Sequence, residues 1–212
     1  MKNISKALKA EFFGTLFLVL LGSIAALESG ALIYAALGFG GTLALMAYIF
    51  GGHYNPAVSI GMFVSKRINK NELITYIAAQ FVGALVASFF LALMYGFGQN
   101  IAANVVSSNV PGSDFIQLFN GLLIEAVLTF VFVLNILNIT KNKENASIAP
   151  LVIGFGLVIL IVVGGNLTGT SVNPVRSLAP AIFQTNALSQ VWVYILGPSL
   201  GGLLAGLFYN RL

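Results

Sequence analysis

Apolar residues in this chain run in long blocks rather than in the alternating or one-faced patterns of a water-soluble fold. Blocks of about 20 apolar residues are long enough for a helix to cross a bilayer. The pattern predicts six: Ala10–Leu27, Ala31–Phe50, Leu73–Phe97, Phe115–Ile139, Ile148–Gly164 and Leu188–Tyr209. Two uncharged stretches do not fit this count. Ser29 to Ser65 is uncharged over 37 positions, and Asn145 to Val175 is uncharged, as is the chain after Arg176 up to Asn210. Each holds one full span plus a surplus too short for another. Both surpluses begin at an Asn-Pro pair, Asn55-Pro56-Ala57 and Asn173-Pro174-Val175. Asn suits a helix N-cap and Pro the first helical position, so each pair reads as the start of a half-length helix. Roughly ten residues rise ~15 Å, about half the hydrocarbon core, so these segments enter the membrane and return.

The expected fold class is therefore an all-α membrane protein of six transmembrane helices and two re-entrant half-helices. Matching pairs recur at offsets of 114 to 118 residues: Glu11-x-x-x-Thr15 with Glu125-x-x-x-Thr129, Gly38-Phe39-Gly40 with Gly154-Phe155-Gly156, Asn55-Pro56 with Asn173-Pro174, and Gly83-x-x-x-Ala87 with Gly201-x-x-x-Ala205. One domain over 1–212 is expected, with repeats at about 1–100 and 115–212. Three spans per repeat is an odd number, so the halves would be inverted, with the half-helix N-termini meeting near the midplane. Inverted repeats with broken helices mark a transport path.

Composition and charge narrow the picture. Of 212 residues 58% are hydrophobic and 8% charged, and the mean hydropathy is +0.95. Soluble domains carry ~25% charge, so an ordinary cytosolic globule is excluded. With no cysteine and one histidine, His53, thiolate sites and disulfides are excluded and no metal, cofactor or enzyme chemistry is expected. The net charge of +4 does not gather on a water-exposed domain, so no nucleic-acid partner is expected. Lys2, Lys6, Lys9, Lys66, Arg67, Lys70, Lys141, Lys143 and Arg211 all fall at the termini and the two loops on one side, whereas the opposite loops carry only Glu28 and Asp114. The positive-inside bias makes the basic side cytoplasmic, with both termini there, in a multi-pass cell-membrane protein. No cleavable leader is read in the basic Met1–Lys9 segment, which flows into the first span. The sequons at Asn3, Asn138, Asn145 and Asn166 read as unused. Arg176 breaks the charge pattern. Arg inside a bilayer costs roughly 2.5–3.5 kcal/mol or more, and such a residue usually faces a cavity.

Ala10-Glu11-Phe12-Phe13-Gly14-Thr15, the segments Gly51–Val58 and Thr168–Ser177, and Gly197-Pro198-Ser199-Leu200-Gly201-Gly202 together resemble the aquaporin family, the major intrinsic proteins. The resemblance covers nearly the whole chain, and the paired Asn-Pro motifs with Arg176 two residues after the second proline are its most specific part. It implies a homotetramer with one pore per protomer. In that reading Asn55 and Asn173 cap their half-helices and donate to water in the lumen. The selectivity ring would be Phe39, Ile161, Thr170 and Arg176, with Arg176 on the outer side. Gly51, Gly52, His53, Gly169 and Ser171 would supply carbonyls along the pore, and Glu11 and Glu125 would anchor the re-entrant loops. Ile161 stands where strict water channels usually carry His, as in archaeal-type aquaporins. Glycerol channels typically have Asp after the Arg, where this chain has Ser177. A water channel is the leading expectation, a small-neutral-solute or gas channel (glycerol, ammonia, hydrogen sulfide, carbon dioxide) the alternative, and a coupled transporter a third. Val175 replaces the family's usual Ala, which puts two extra methyls near the pore centre.

Overall fold

A computed structural model describes residues 4–211. Lys2 and the Asn3 sequon lie outside the described residues. Among the described residues eight α-helices follow one another: α1 (Ile4–Ser29), α2 (Leu32–Ile49), α3 (Pro56–Val64), α4 (Lys70–Tyr95), α5 (Asp114–Ile139), α6 (Ala149–Thr168), α7 (Pro174–Phe183) and α8 (Val191–Tyr209). There is no strand among the described residues. Six helices are long and apolar enough to cross a membrane. The remaining two, α3 and α7, have nine and ten residues and begin at the two Asn-Pro pairs. The order long, long, short, long thus occurs twice.

Several helices outrun the apolar blocks that predict them. The third span starts at Lys70 rather than Leu73, because Asn69 and Glu72 form a reciprocal cap. The Asn69 side chain accepts from the Glu72 N–H at 3.0 Å and the Glu72 carboxylate from the Asn69 N–H at 2.9 Å, an arrangement that satisfies two orphan donors at a helix start. Similarly, α6 continues past Gly164 to Thr168, where Gly169 in the left-handed region (φ +73°) closes it. The last span starts at Val191, after a 3₁₀ stretch over Thr185–Gln190.

The long helices pack as α1 against α4 and α2, α5 against α8 and α6, and α2 against α6. Small residues let the backbones touch. A Cβ on Gly40 would lie 2.6 Å from the Gly154 carbonyl oxygen, and one on Gly154 would lie 2.4 Å from that of Gly40. Gly83 on α4 meets the Phe12 carbonyl of α1 in the same manner, and Gly201 on α8 meets that of Ala126 on α5. Close small-residue crossings of this kind hold helices together in lipid, where the hydrophobic effect does not.

The two short helices leave at opposite ends of α4. The exit of α3 runs through Ser65 into the Asn69 cap at the start of α4. The exit of α7 sits at the other end, where the Gly98 N–H donates to the Phe183 carbonyl at 3.1 Å and the Phe97 and Phe183 rings are 6.2 Å apart. The 26 residues of α4 span ~39 Å at 1.5 Å each. Therefore α3 and α7 run in from opposite sides, and their N-terminal ends come together in the interior.

Candidate functional site

Each Asn-Pro pair does two jobs with one side chain. The Asn55 Oδ1 accepts from the Ala57 N–H at 2.8 Å, and the Asn173 Oδ1 accepts from the Arg176 N–H at 3.3 Å. These are N-cap bonds, each satisfying a helix-start donor. The amide nitrogens reach across to the other half. Asn55 Nδ2 donates to the Val172 carbonyl at 2.7 Å, and Asn173 Nδ2 donates to the Tyr54 carbonyl at 2.9 Å. The accepting residues are the ones immediately before the opposite Asn. Both are left-handed, Tyr54 at φ 55° and Val172 at φ 48°, a conformation that is an outlier for a β-branched residue such as Val172. Only one of the two hydrogens on each amide nitrogen is engaged in this way. Asn55 and Asn173 also line one and the same cavity, the site's main one.

Two fully buried carboxylates hold these loops. Glu11 accepts from the His53 and Tyr54 N–H groups, each at 2.7 Å, and from Gln80 Nε2 at 2.8 Å. Glu125 accepts from the Ser171 N–H at 2.9 Å, the Val172 N–H at 2.8 Å and the Thr168 hydroxyl at 2.7 Å. Each carboxylate thus takes the N–H of the strained residue before its own Asn.

The cavity is narrow, with room of about 40 Å³ for the centres of water-sized spheres. Gly52, His53, Asn55, Ser171 and Asn173 line it, as do all four residues assigned to the ring: Phe39, Ile161, Thr170 and Arg176. The Arg176 guanidinium carbon lies 4.6 Å from the Phe39 ring centroid, in cation–π range. Arg176 is 6% exposed. Its Nη1 donates to the Ala102 carbonyl at 2.9 Å and to Asn104 Oδ1. Two candidates lie elsewhere. Gly51 lines a second cavity next to Lys6, Glu11 and His53, on the α1 N-terminal side. Gly169 is not among the residues lining the main cavity. It closes α6, and a Cβ there would stand 2.6 Å from Asn104 Nδ2. The apolar motif residues pack behind the cavity. The Ala57 carbonyl lies against Gly202. Val175 joins Val19, Ala84, Ala87 and Ala179 in an apolar cluster between α1, α4 and α7. Its extra methyls therefore fill helix packing and do not line the cavity.

Several residues at the site carry no sequence motif. Asn104, in the connection between α4 and α5, bridges Arg176 and Ser177, whose hydroxyl donates to it at 2.7 Å. Gln184 Oε1 holds the same connection by accepting from the Ile101 and Ala103 N–H groups at 2.9 and 3.3 Å. Gln80, an amide inside an apolar run, is the one that sequence could have flagged, since a polar group in mid-span needs a partner.

This geometry agrees with comparisons to known proteins. The family model described as major intrinsic protein matches residues 1–209. The chain is 43% identical over 206 residues to glycerol uptake facilitator protein-like 6 of Lactiplantibacillus plantarum, covering 92% of this chain and 93% of that protein. It is 38% identical over 220 residues to aquaporin Z of Brucella melitensis, covering 97% and 96%. Its fold overlays on the X-ray structure of the aquaglyceroporin from Plasmodium falciparum with a TM-score of 0.84, at 21% identity and 99% and 97% coverage. With a family match over nearly its full length and six membrane-length helices around a cavity where two Asn-Pro helix starts meet, the chain belongs to the major intrinsic protein family, whose members are membrane channels.

Proposed function

We propose that this protein is a passive water channel, with each protomer of a homotetramer carrying its own pore and both termini in the cytoplasm. The observation that carries the proposal is the meeting of Asn55 and Asn173, each on its own helix start, in one cavity that Arg176 also lines. A helix N-terminus presents roughly half a positive charge. Two such ends and two amide N–H groups turn a passing water's oxygen toward the centre. A water held by two donors cannot relay a proton onward, and the same field repels cations. The halves act as inverted repeats in this reading, so the field is symmetric about the midplane. Phe39, Ile161, Thr170 and Arg176 form the selectivity ring, and the carbonyls of Gly52, His53 and Ser171 replace hydration along the path. Glu11 and Glu125 serve as loop anchors, which leaves no deep carboxylate for ion coupling.

A second reading, a small-neutral-solute channel, is favoured by Ile161, an apolar wall residue opposite an Arg, and by the glycerol facilitator-like relative. Stopped-flow light scattering on reconstituted vesicles separates them. Rapid shrinkage in sucrose with slow re-entry of glycerol supports the water channel, and fast re-entry supports the solute channel. Shrinkage no faster than in empty vesicles, or transport that needs a proton or sodium gradient, overturns both. Ile161→His adds a polar donor to an apolar position of the ring, and is expected to lower glycerol flux at similar water flux in the same assay. Mercuric chloride at low concentration is expected to leave flux unchanged, because the chain has no cysteine.

A further inference from the structure

The one histidine sits in a closed loop of hydrogen bonds whose direction is determined by chemistry. Glu11 accepts from the backbone N–H of both His53 and Tyr54 at 2.7 Å, as a carboxylate does. The Gln80 atom 2.8 Å from Glu11 Oε2 must then be the amide nitrogen, since the alternative flip would set two acceptors against each other. Gln80 is fully buried, and its Oε1 has no partner among the described residues, so the two N–H bonds alone orient this amide. Its second hydrogen goes to Ser59 Oγ at 3.0 Å. Ser59 is likewise fully buried, and its Oγ lies 2.9 Å from His53 Nδ1. That nitrogen is the only acceptor the Ser59 hydroxyl reaches among the described residues.

We propose that Gln80 and Ser59 are positioning residues that hold the His53 ring with Nδ1 as acceptor and the ring proton on Nε2. The chain of donation runs from Gln80 Nε2–H to Ser59 Oγ, and from the Ser59 O–H to His53 Nδ1. A proton on Nδ1 would face the Ser59 oxygen and leave the buried hydroxyl hydrogen without an acceptor, which costs more than an ordinary hydrogen bond gains. The Nε2–H is turned away from α3, and His53 lines both the main cavity and the cavity beyond it. This deepens the channel reading, because the network makes the histidine's outer nitrogen a donor, matching the two Asn amides further in.

The test is magic-angle-spinning NMR of the full chain in lipid bilayers, labelled with ¹⁵N-histidine and purified without a histidine tag. His53 is the only histidine, so each ring nitrogen gives one unambiguous resonance. The expected spectrum at neutral pH shows a protonated Nε2 and a bare, hydrogen-bonded Nδ1. In Ser59→Ala the Nδ1 resonance is expected to shift to that of an unbonded nitrogen, with an Nδ1–H population appearing. Gln80→Met is expected to move it in the same direction. A protonated Nδ1 in the wild type, or an Nδ1 resonance unmoved by Ser59→Ala, overturns the assignment. The wild-type spectrum decides even if the variants do not fold. The readout is independent of flux, so a wild type that conducts nothing would sink the channel reading and leave this one standing.

Discussion

Replacement of Glu125 by alanine is expected to bring water flux down to that of empty vesicles. The carboxylate accepts three hydrogen bonds, from the Ser171 N–H, the Val172 N–H and the Thr168 hydroxyl, all in the buried interior. Alanine leaves these donors unsatisfied in a site that is 0% exposed. At ~1–3 kcal/mol for each orphaned group, the loss is roughly 3–9 kcal/mol, a large share of a typical folding margin of ~5–15 kcal/mol. The Val172 backbone is the part most at risk, since its left-handed conformation, which costs ~1–3 kcal/mol, persists only while its surroundings enforce it. Once Val172 relaxes, its carbonyl leaves Asn55. Glu125→Gln is expected to lose nearly as much, because an amide NH₂ would replace one accepting oxygen and face a donor. Thermal unfolding in detergent and osmotic flux in vesicles measure the two consequences. A variant that conducts within twofold of the wild type would remove Glu125 from the anchor role.

Gly14→Ala is the second large effect. A Cβ at Gly14 would lie 2.0 Å from Tyr54 Cε1 and 2.3 Å from Cδ1. The ring has no room to yield. Its hydroxyl donates to the Met46 carbonyl at 3.0 Å, a Cβ on Gly52 would also stand within 2.6 Å of it, and Glu11 holds its backbone N–H. Overpacking a core costs ~1–3 kcal/mol and occasionally more. Here the strain passes into the Tyr54 carbonyl, which receives Asn173. Flux is expected to fall at least tenfold, with a lowered unfolding temperature. Gly41→Ala is the control: it is also helical, but a Cβ there meets nothing within 4 Å. Removing a helix-interior glycine is expected to stabilise by about 0.5–1 kcal/mol, with flux unchanged. Equal damage from both substitutions would refute the steric account.

Much of this architecture is legible in the sequence for simple reasons. Lipid demands long apolar runs, so the six spans announce themselves, although charged ends such as Lys70 and Glu72 blur their limits. Asn suits a helix N-cap and Pro the first helical position, and an uncharged surplus follows each pair, which locates α3 and α7. The cost of burying Arg176 by itself points to a cavity. The direction in which each side chain faces is not legible. A membrane helix is apolar on both its lipid and its protein sides, so periodicity does not distinguish them. Hence the sequence places the extra methyls of Val175 near the pore centre without showing which way they face, and the structure packs them against Val19 and Ala84. Nor do local patterns reveal partners more than a hundred residues apart. The crossed bonds from Asn55 to Val172 and from Asn173 to Tyr54 depend on how the halves dock, and the grip of Asn104 on Arg176 depends on where a connecting loop comes to rest. No short motif marks either.

Those crossed bonds also bear on how the molecule is made. Synthesis runs from the first half to the second, and the backbone at Tyr54 acquires its stabilising donor only when Asn173, 119 residues later, has been translated and inserted. During that interval the nascent first half carries an amide and a carbonyl without their mates across the repeat, so its re-entrant loop stays wet or unformed until the second half inserts. A chain truncated before α5 should accordingly insert its helices yet leave the Tyr54–Asn55 peptide open to proteolysis and hydrogen exchange. The crossed pair thus forms only once both halves are in place, and neither half completes it alone.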